Sequence, residues 1–351
     1  MSRVSPWAPQ AHSHQSLQNF LPLHRPILIL APMQDITDLP FWKLIHRYGD
    51  PDLYYTEYFR VHRDSKPERY ILKSILENPS DKPIQAQMIG VDIPSLVRTA
   101  LKLQEYPVQG IDLNLGCPAP VVCSKNAGGA LLRSRETVDS ILTALRGSIH
   151  KTFTVKTRLG FETPDEFEAL LELFGKHHID ALTVHGRTVR ELYRPHVHYD
   201  RIHQAVKQLP FPVFANGNVR SHKSAREIYE MTGARGLMVG RGAVRNPWVF
   251  RQIREDFEGK PVFQPTLRDL RNYIDDLYQA IALPELKPIA HISKMKKYLN
   301  FLAPGITPED QFLQEMRRSS SESEFFEVCD RYLNFDLPFD PERMTSVSLA
   351  D

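Results

Sequence analysis

Eight short apolar runs recur along the first two thirds of the chain, over 27–33, 53–59, 83–90, 110–116, 153–159, 181–187, 212–218 and 236–242. Each is closed by polar or glycine residues, the mark of a buried strand running into a loop. Their starts lie 24 to 43 residues apart. That leaves room each time for the crossover helix that parallel neighbours require. Helical texture fills the gaps, as in 94–103 and 137–145. Eight matched strand–helix units predict a (β/α)₈ (TIM) barrel over 27–258. A doubly wound open sheet is the alternative, and the even matching of the units favours closure.

The flanks read differently. Residues 1–26 carry Ser, Gln, His and Pro without periodicity and are expected to be a mobile arm. Beyond Gly259 the strand pattern stops. Helical spacing appears over 267–282 and 289–302, and two weaker helical stretches precede Phe335. A helical module over 259–340, joined through Pro261 and Pro265, and a frayed tail over 341–351 complete the expected organisation.

Composition narrows the chemistry. The chain has three cysteines, Cys117, Cys123 and Cys329, and no C-x-x-C pair, which argues against a zinc site or an iron–sulfur cluster. No metal is expected. No run approaches the roughly 18–20 apolar residues of a membrane span, so a cytoplasmic protein with no membrane association is expected. A net charge of +2 leaves nucleic-acid binding open, because local patches matter more than the total.

In a barrel of this kind the working residues stand at the C-terminal ends of the strands. Those ends carry Pro32, Met33 and Gln34; Glu57; Gln87; Asn114 and Cys117; Lys156 and Arg158; His185 and Arg187; Asn216 and Asn218; and Gly240 and Arg241. Cys117, in Gly110-Ile-Asp-Leu-Asn-Leu-Gly-Cys-Pro118, is on its own either a packed small residue or a reactive thiol. Beside seven other polar strand ends it reads as catalytic. Ala215-Asn-Gly-Asn218 and Val239-Gly-Arg-Gly242 put glycines and an arginine where barrels commonly hold phosphate. Lys156 beside Gln87 and Asn114 suits the polar edge of a flavin, and with a phosphate site this suggests FMN.

These residues, in this order, resemble the tRNA-dihydrouridine synthases, flavin enzymes that reduce specific uridines in tRNA. The resemblance runs from about Ala31 to about Phe335. It is carried by Ala31-Pro-Met-Gln-Asp-Ile-Thr-Asp38, Thr56-Glu57, Gln87-Met-Ile-Gly90, Asn114-Leu-Gly-Cys-Pro118, Lys156-Thr-Arg158, Val184-His-Gly-Arg-Thr188, Asn216-Gly217 and Gly240-Arg241. The resemblance implies that Pro32, Met33 and Gln34 lie along the isoalloxazine, with Gln87 and Lys156 on its polar edge. His185, Asn216, Gly217, Asn218, Gly240 and Arg241 would hold the ribityl phosphate. It further implies NADPH (or NADH) as reductant, hydride delivery to uracil C6, and a proton from Cys117 to C5. Asn114, Arg158 and Tyr193 would hold the flipped base. Thr56-Glu-Tyr-Phe-Arg-Val61, and Val184-His-Gly-Arg-Thr followed by Tyr193-Arg194, look most like the bacterial subgroup acting on D-loop uridine 16.

The chain departs from the family pattern at Val121, where a lysine or arginine is usual four residues after the cysteine; Lys125 lies on the same loop. Cys123 is an additional thiol, expected to be packed. In 291–298, Lys294, Lys296 and Lys297 cannot share one helical face, and part of that helix is expected to meet tRNA phosphates. A monomer is expected. Two other functions stay open at this level: a small-molecule pyrimidine reductase of the dihydroorotate or dihydropyrimidine dehydrogenase kind, and a tRNA-binding chaperone without catalysis.

Overall fold

The computed structural model describes residues 22–282 and 288–343. Most of the expected arm (1–21) and of the expected tail (344–351) lies outside them. The described chain has nine strands: β1 (Ile27–Leu30), β2 (Leu53–Tyr55), β3 (Phe59–Val61), β4 (Ile84–Gly90), β5 (Gly110–Leu115), β6 (Thr152–Arg158), β7 (Ala181–His185), β8 (Val213–Asn216) and β9 (Gly236–Val239). All pairings among them are parallel, and β1 pairs with both β2 and β9 while β2 also pairs with β4, so the sheet closes. This is an eight-position (β/α)₈ barrel.

The second position is split. The run 53–59 is not one strand: β2 ends at Tyr55 and β3 restarts at Phe59 against Met88 of β4. The Thr56 hydroxyl accepts from the Gln87 N–H (3.0 Å), so a side chain replaces a ladder bond at the break. β1 likewise stops at Leu30, short of the expected Met33, because Pro32 brings no N–H to the ladder.

Ile27, Ile29, Leu53, Tyr55, Ala181, Phe214 and Met238 fill the barrel interior, and a larger apolar layer lies between strands and helices. Its helices present one apolar stripe each: Leu39–Tyr48 buries Leu39, Phe41, Trp42, Leu44 and Ile45, and Asp38 caps it by accepting from the Phe41 N–H. The longest connection, β5 to β6, carries more than a crossover helix. A helical turn (Pro120–Cys123) and a 3₁₀ segment (Gly128–Arg133) precede the helix Arg135–Ser148. The extra chain is the loop that bears Cys117.

After β9 the chain continues in helices Arg241–Arg245 and Val249–Phe257. Then follow Leu267–Ala280, Pro288–Leu302, Glu309–Arg318 and Glu322–Leu333. The helix Leu267–Ala280 begins at a Thr266–Asp269 capping box. It lies against Leu39–Tyr48, where Tyr48 donates to Asp276 (2.5 Å) and sets its ring edge-on to Tyr273. The helix Pro288–Leu302 reaches the mouth of the barrel: the Tyr298 hydroxyl donates to the Ile36 carbonyl (3.0 Å), and Lys294 pairs with Asp38 (3.2 Å). No described helix is long and apolar enough to cross a membrane.

Candidate active site

Parallel register stacks the polar strand ends into rows. Gln87, Asp112 and Thr154 align across β4, β5 and β6; Asn114, Lys156 and Thr183 form the next row; Arg158, His185 and Asn216 form the row above. The sequence cannot display these rows, because register is a relation between distant segments.

Cys117 is half-buried just beyond β5. Asn114 folds the turn that carries it: its Oδ1 accepts from the Gly116 and Cys117 N–H groups (3.0 and 2.9 Å), and its Nδ2 donates to Gln87 Oε1 (2.8 Å). The Cys117 carbonyl accepts from the Gly129 N–H (3.0 Å). Gly129 has little room for a side chain, since a Cβ there would fall 2.6 Å from Val189 Cγ2. Cys123 is half-buried, and its thiol donates to the Cys117 carbonyl (3.6 Å). Burial, then the neighbouring Cys117, pushes the Cys123 thiol above its ordinary range. Val121 and Lys125 are exposed on the same loop.

Arg158 is buried, and its guanidinium is spent on backbone: Nε donates to Gly116 O (2.9 Å), and Nη1 to Thr188 O and Leu192 O (2.8 Å each). It thereby ties the Cys117 turn to the loop bearing Tyr193. The Tyr193 ring, about half exposed, is faced by Arg158 at 5.5 Å and Arg241 at 4.6 Å. Glu191 braces the same loop by accepting from the Thr188 N–H (2.6 Å), and it pairs with His198 (2.8 Å).

His185 is buried, and Arg187 Nη1 donates to its Nε2 (3.1 Å). Burial first, then Arg158, Lys156, Arg187 and Arg241, holds the imidazole well below its usual range, so it is neutral. Arg187 is itself lowered to about 10 by burial and by Arg241 and Arg158. It also binds the Arg194 and Pro195 carbonyls and Asn218 Oδ1. The Asn216 and Asn218 amides donate to the Met238 and Pro195 carbonyls (2.9 Å each). Gly217 and Asn218 take positive φ (128° and 53°), which turns the backbone sharply after β8. Gly240 is half-buried, and a Cβ there would meet Ala31 and Met33 only at 3.5 Å.

Lys156 is half-buried, and burial, then Arg158, lowers its ammonium to about 8 despite the favourable field of Asp112. Four cations thus surround His185, and the carboxylate fields that reach Lys156 and Arg158 come from Asp112 and Glu191. An excess of buried positive charge is the donor chemistry of an anion site. On the facing side, Pro32, Met33 and Gln34 leave β1. Gln34 Nε2 donates to the Tyr70 hydroxyl (3.0 Å), while its buried Oε1 has no protein partner.

Three residues lie here to which sequence reasoning gave no role, although Glu57 and Arg187 stood among its polar strand ends. Glu57 accepts from the Asp35 N–H, Arg187 bridges His185 and Asn218, and Asp112 lies at the floor. Asp112 was detectable: an acid two residues before Asn114 within an apolar strand must face the same way. Among the described residues no group of three His, Cys, Asp or Glu is placed to hold a metal.

Comparison with known proteins gives concordant results. Residues 29–335 match the family model described as "Dihydrouridine synthase (Dus)". The chain is 36% identical over 227 residues to a Pseudomonas aeruginosa protein named tRNA-dihydrouridine synthase B, spanning 64% of this chain and 68% of that one. A Pasteurella multocida protein of the same name is 29% identical, over 88% of this chain and 93% of its own. A Neisseria meningitidis serogroup B protein named tRNA-dihydrouridine(16) synthase is 29% identical, over 84% and 91%.

Proposed function

Because this chain belongs to the dihydrouridine synthase family, whose members are flavin-dependent oxidoreductases, we propose that it reduces the uracil C5–C6 double bond of a D-loop uridine in tRNA, with FMN as cofactor and NADPH as reductant. The observation that carries the reading is the meeting, at one barrel mouth, of the Cys117 turn with the cationic cluster around His185.

The donor set fits FMN. Four cations, a neutral imidazole and the backbone of Gly217, Asn218, Gly240 and Arg241 suit its phosphate. Asn216 and Asn218 support that backbone through their side chains. Pro32, Met33 and the unpartnered Gln34 Oε1 suit the ring, with Lys156 at its polar edge; Gln87, fully buried with its amide shared between Asp112 and Asn114, supports that edge from behind. When bound, FMN supplies the hydride chemistry that no side chain of this chain can provide.

Cys117 donates the proton to C5, a role that requires the thiol to carry its hydrogen at that moment. Asn114 and Arg158, placed beside the flipped base, also brace the Cys117 turn, Asn114 through its Oδ1 on the Cys117 N–H and Arg158 through its Nε on the Gly116 carbonyl. Tyr193, flanked by two guanidiniums, offers the plane for an extruded base. Uridine 16 is the position we favour, supported by the Thr56–Val61 segment and by the similarity to the Neisseria protein over 84% of this chain.

The test is spectroscopic. Purified protein should show a flavin spectrum that bleaches with NADPH under anaerobic conditions and recovers on adding unmodified tRNA, with dihydrouridine then mapped at position 16. Recovery with free pyrimidines but not with tRNA would overturn the reading in favour of a metabolite reductase.

A further inference from the structure

Asp112 is fully buried inside the barrel, one register row below Asn114 and Lys156. A carboxylate can only accept hydrogen bonds. Its Oδ1 accepts from the Thr154 hydroxyl (2.6 Å) and its Oδ2 from Gln87 Nε2 (2.7 Å). An amide has one donating and one accepting end, so fixing Gln87 Nε2 on Asp112 turns Gln87 Oε1 the other way. There it accepts from Asn114 Nδ2 (2.8 Å), which leaves Asn114 Oδ1 to accept from the Gly116 and Cys117 N–H groups. One buried anion therefore polarises a relay of two amides that ends on the backbone of Cys117. Around it, β4 contributes Gln87, β6 contributes Thr154 and Lys156, and β2 contributes Tyr55. Lys156 is the cation whose field favours the carboxylate, and burial keeps the Tyr55 phenol protonated.

We propose that Asp112 is the positioning residue of the Cys117 turn: its carboxylate enforces the orientation of the Gln87 and Asn114 amides, and so fixes where the thiol stands at the barrel mouth. The inference deepens the synthase reading and rests on it only for turnover.

Asp112→Asn in the full chain is the test, because asparagine can present either oxygen or nitrogen to Gln87. The expected result is faster backbone amide exchange, about tenfold, confined to residues 114–117. A kcat about tenfold lower should accompany it, with the KM for tRNA and the FMN content within twofold of wild type. Unchanged exchange and kcat overturn the proposal; loosening spread over all strands also overturns it, since that marks a merely structural role. Asp112→Asn combined with Gln87→Glu moves the anion one step along the relay. The carboxylate introduced by Gln87→Glu then accepts from the asparagine side chains on either side of it, and protection at 116–117 should return; failure to return counts against the relay.

Should neither variant fold, wild type decides. Burial raises the Asp112 carboxyl to about 6. Protection at Cys117, corrected for intrinsic exchange, should therefore fall as the pH drops from 8 to 5, and a flat profile overturns the proposal. A wild type that binds no flavin and leaves tRNA unreduced, yet shows the local exchange effect, would sink the synthase reading and leave the relay standing.

Discussion

Cys117 is held from three directions: Asn114 on its N–H, Gly129 and Cys123 on its carbonyl, and Arg158 through the Gly116 carbonyl. A general acid delivers roughly 10²–10⁴-fold of rate. Cys117→Ala should therefore lower dihydrouridine formation by about that factor and leave tRNA affinity within about twofold, measured by single-turnover assay and filter binding. Unchanged turnover would remove the proton-donor role. The close packing of this turn yields a second expectation. At Gly129 a methyl would press on Val189 and on the Cys117 carbonyl at 3.0 Å. Gly129→Ala should cost about 1–3 kcal/mol of stability and slow turnover together, whereas Gly147, with nothing near its Cβ position, should accept alanine with no such loss. Urea unfolding of the two variants separates these outcomes.

At the scale of elements, the loop from β1 to the helix Leu39–Tyr48 is clamped from inside and outside. Inside, Glu57 accepts from the N–H of Asp35, a non-glycine residue at φ 61°. Outside, Tyr298 and Lys294 hold Ile36 and Asp38. Burial raises the Glu57 carboxyl to about 7; its bond to Asp35 and the Lys294 charge oppose the shift, while Asp38 and Asp35 add to it. The native state thus holds this proton more tightly than the unfolded chain, whose ordinary value is 4.5. Stability from Glu57 is full below that value and is lost as the pH rises through about 7, by on the order of 2–3 kcal/mol. Glu57→Gln should match wild type near pH 4.5 and be the more stable near pH 8. Turnover should nevertheless fall, because the charge-assisted hold on Asp35 is gone. Denaturant titrations across pH check the first part; a variant no more stable at pH 8 refutes it. The same loop shows how much the sequence discloses. Eight apolar runs and their polar ends were legible because strand period and turn chemistry are local signals. The break at Thr56–Tyr58, and the engagement of Asn114 and Arg158 with backbone, depend on which distant residues face each other across β2, β4 and the Tyr193 loop. No local pattern encodes that pairing.

For the whole molecule, the helix Pro288–Leu302 joins the barrel mouth to the C-terminal helices, and its three lysines have separate fates. Lys294 is paired with Asp38. Lys296 donates to the Arg317 and Ser319 carbonyls (3.0 and 2.6 Å), closing the end of the helix Glu309–Arg318. Lys297 is exposed. With a net charge of only +2, the proposed tRNA binding would draw on local cations such as these, each phosphate contact contributing about 0.7–0.9 to the slope of log affinity against log salt. Lys297→Gln should therefore reduce that slope by about that amount and leave the unfolding midpoint unchanged. Lys294→Gln should act the other way round. Its charge already faces a carboxylate, so the salt slope should hardly move, while loss of the half-buried pair frees the β1 loop and lowers stability by about 1 kcal/mol. Binding titrations of both variants between about 50 and 200 mM salt, set beside their melting curves, decide the matter. If Lys294→Gln alone flattens the slope, the Asp38 pair opens on binding and this helix moves when tRNA docks.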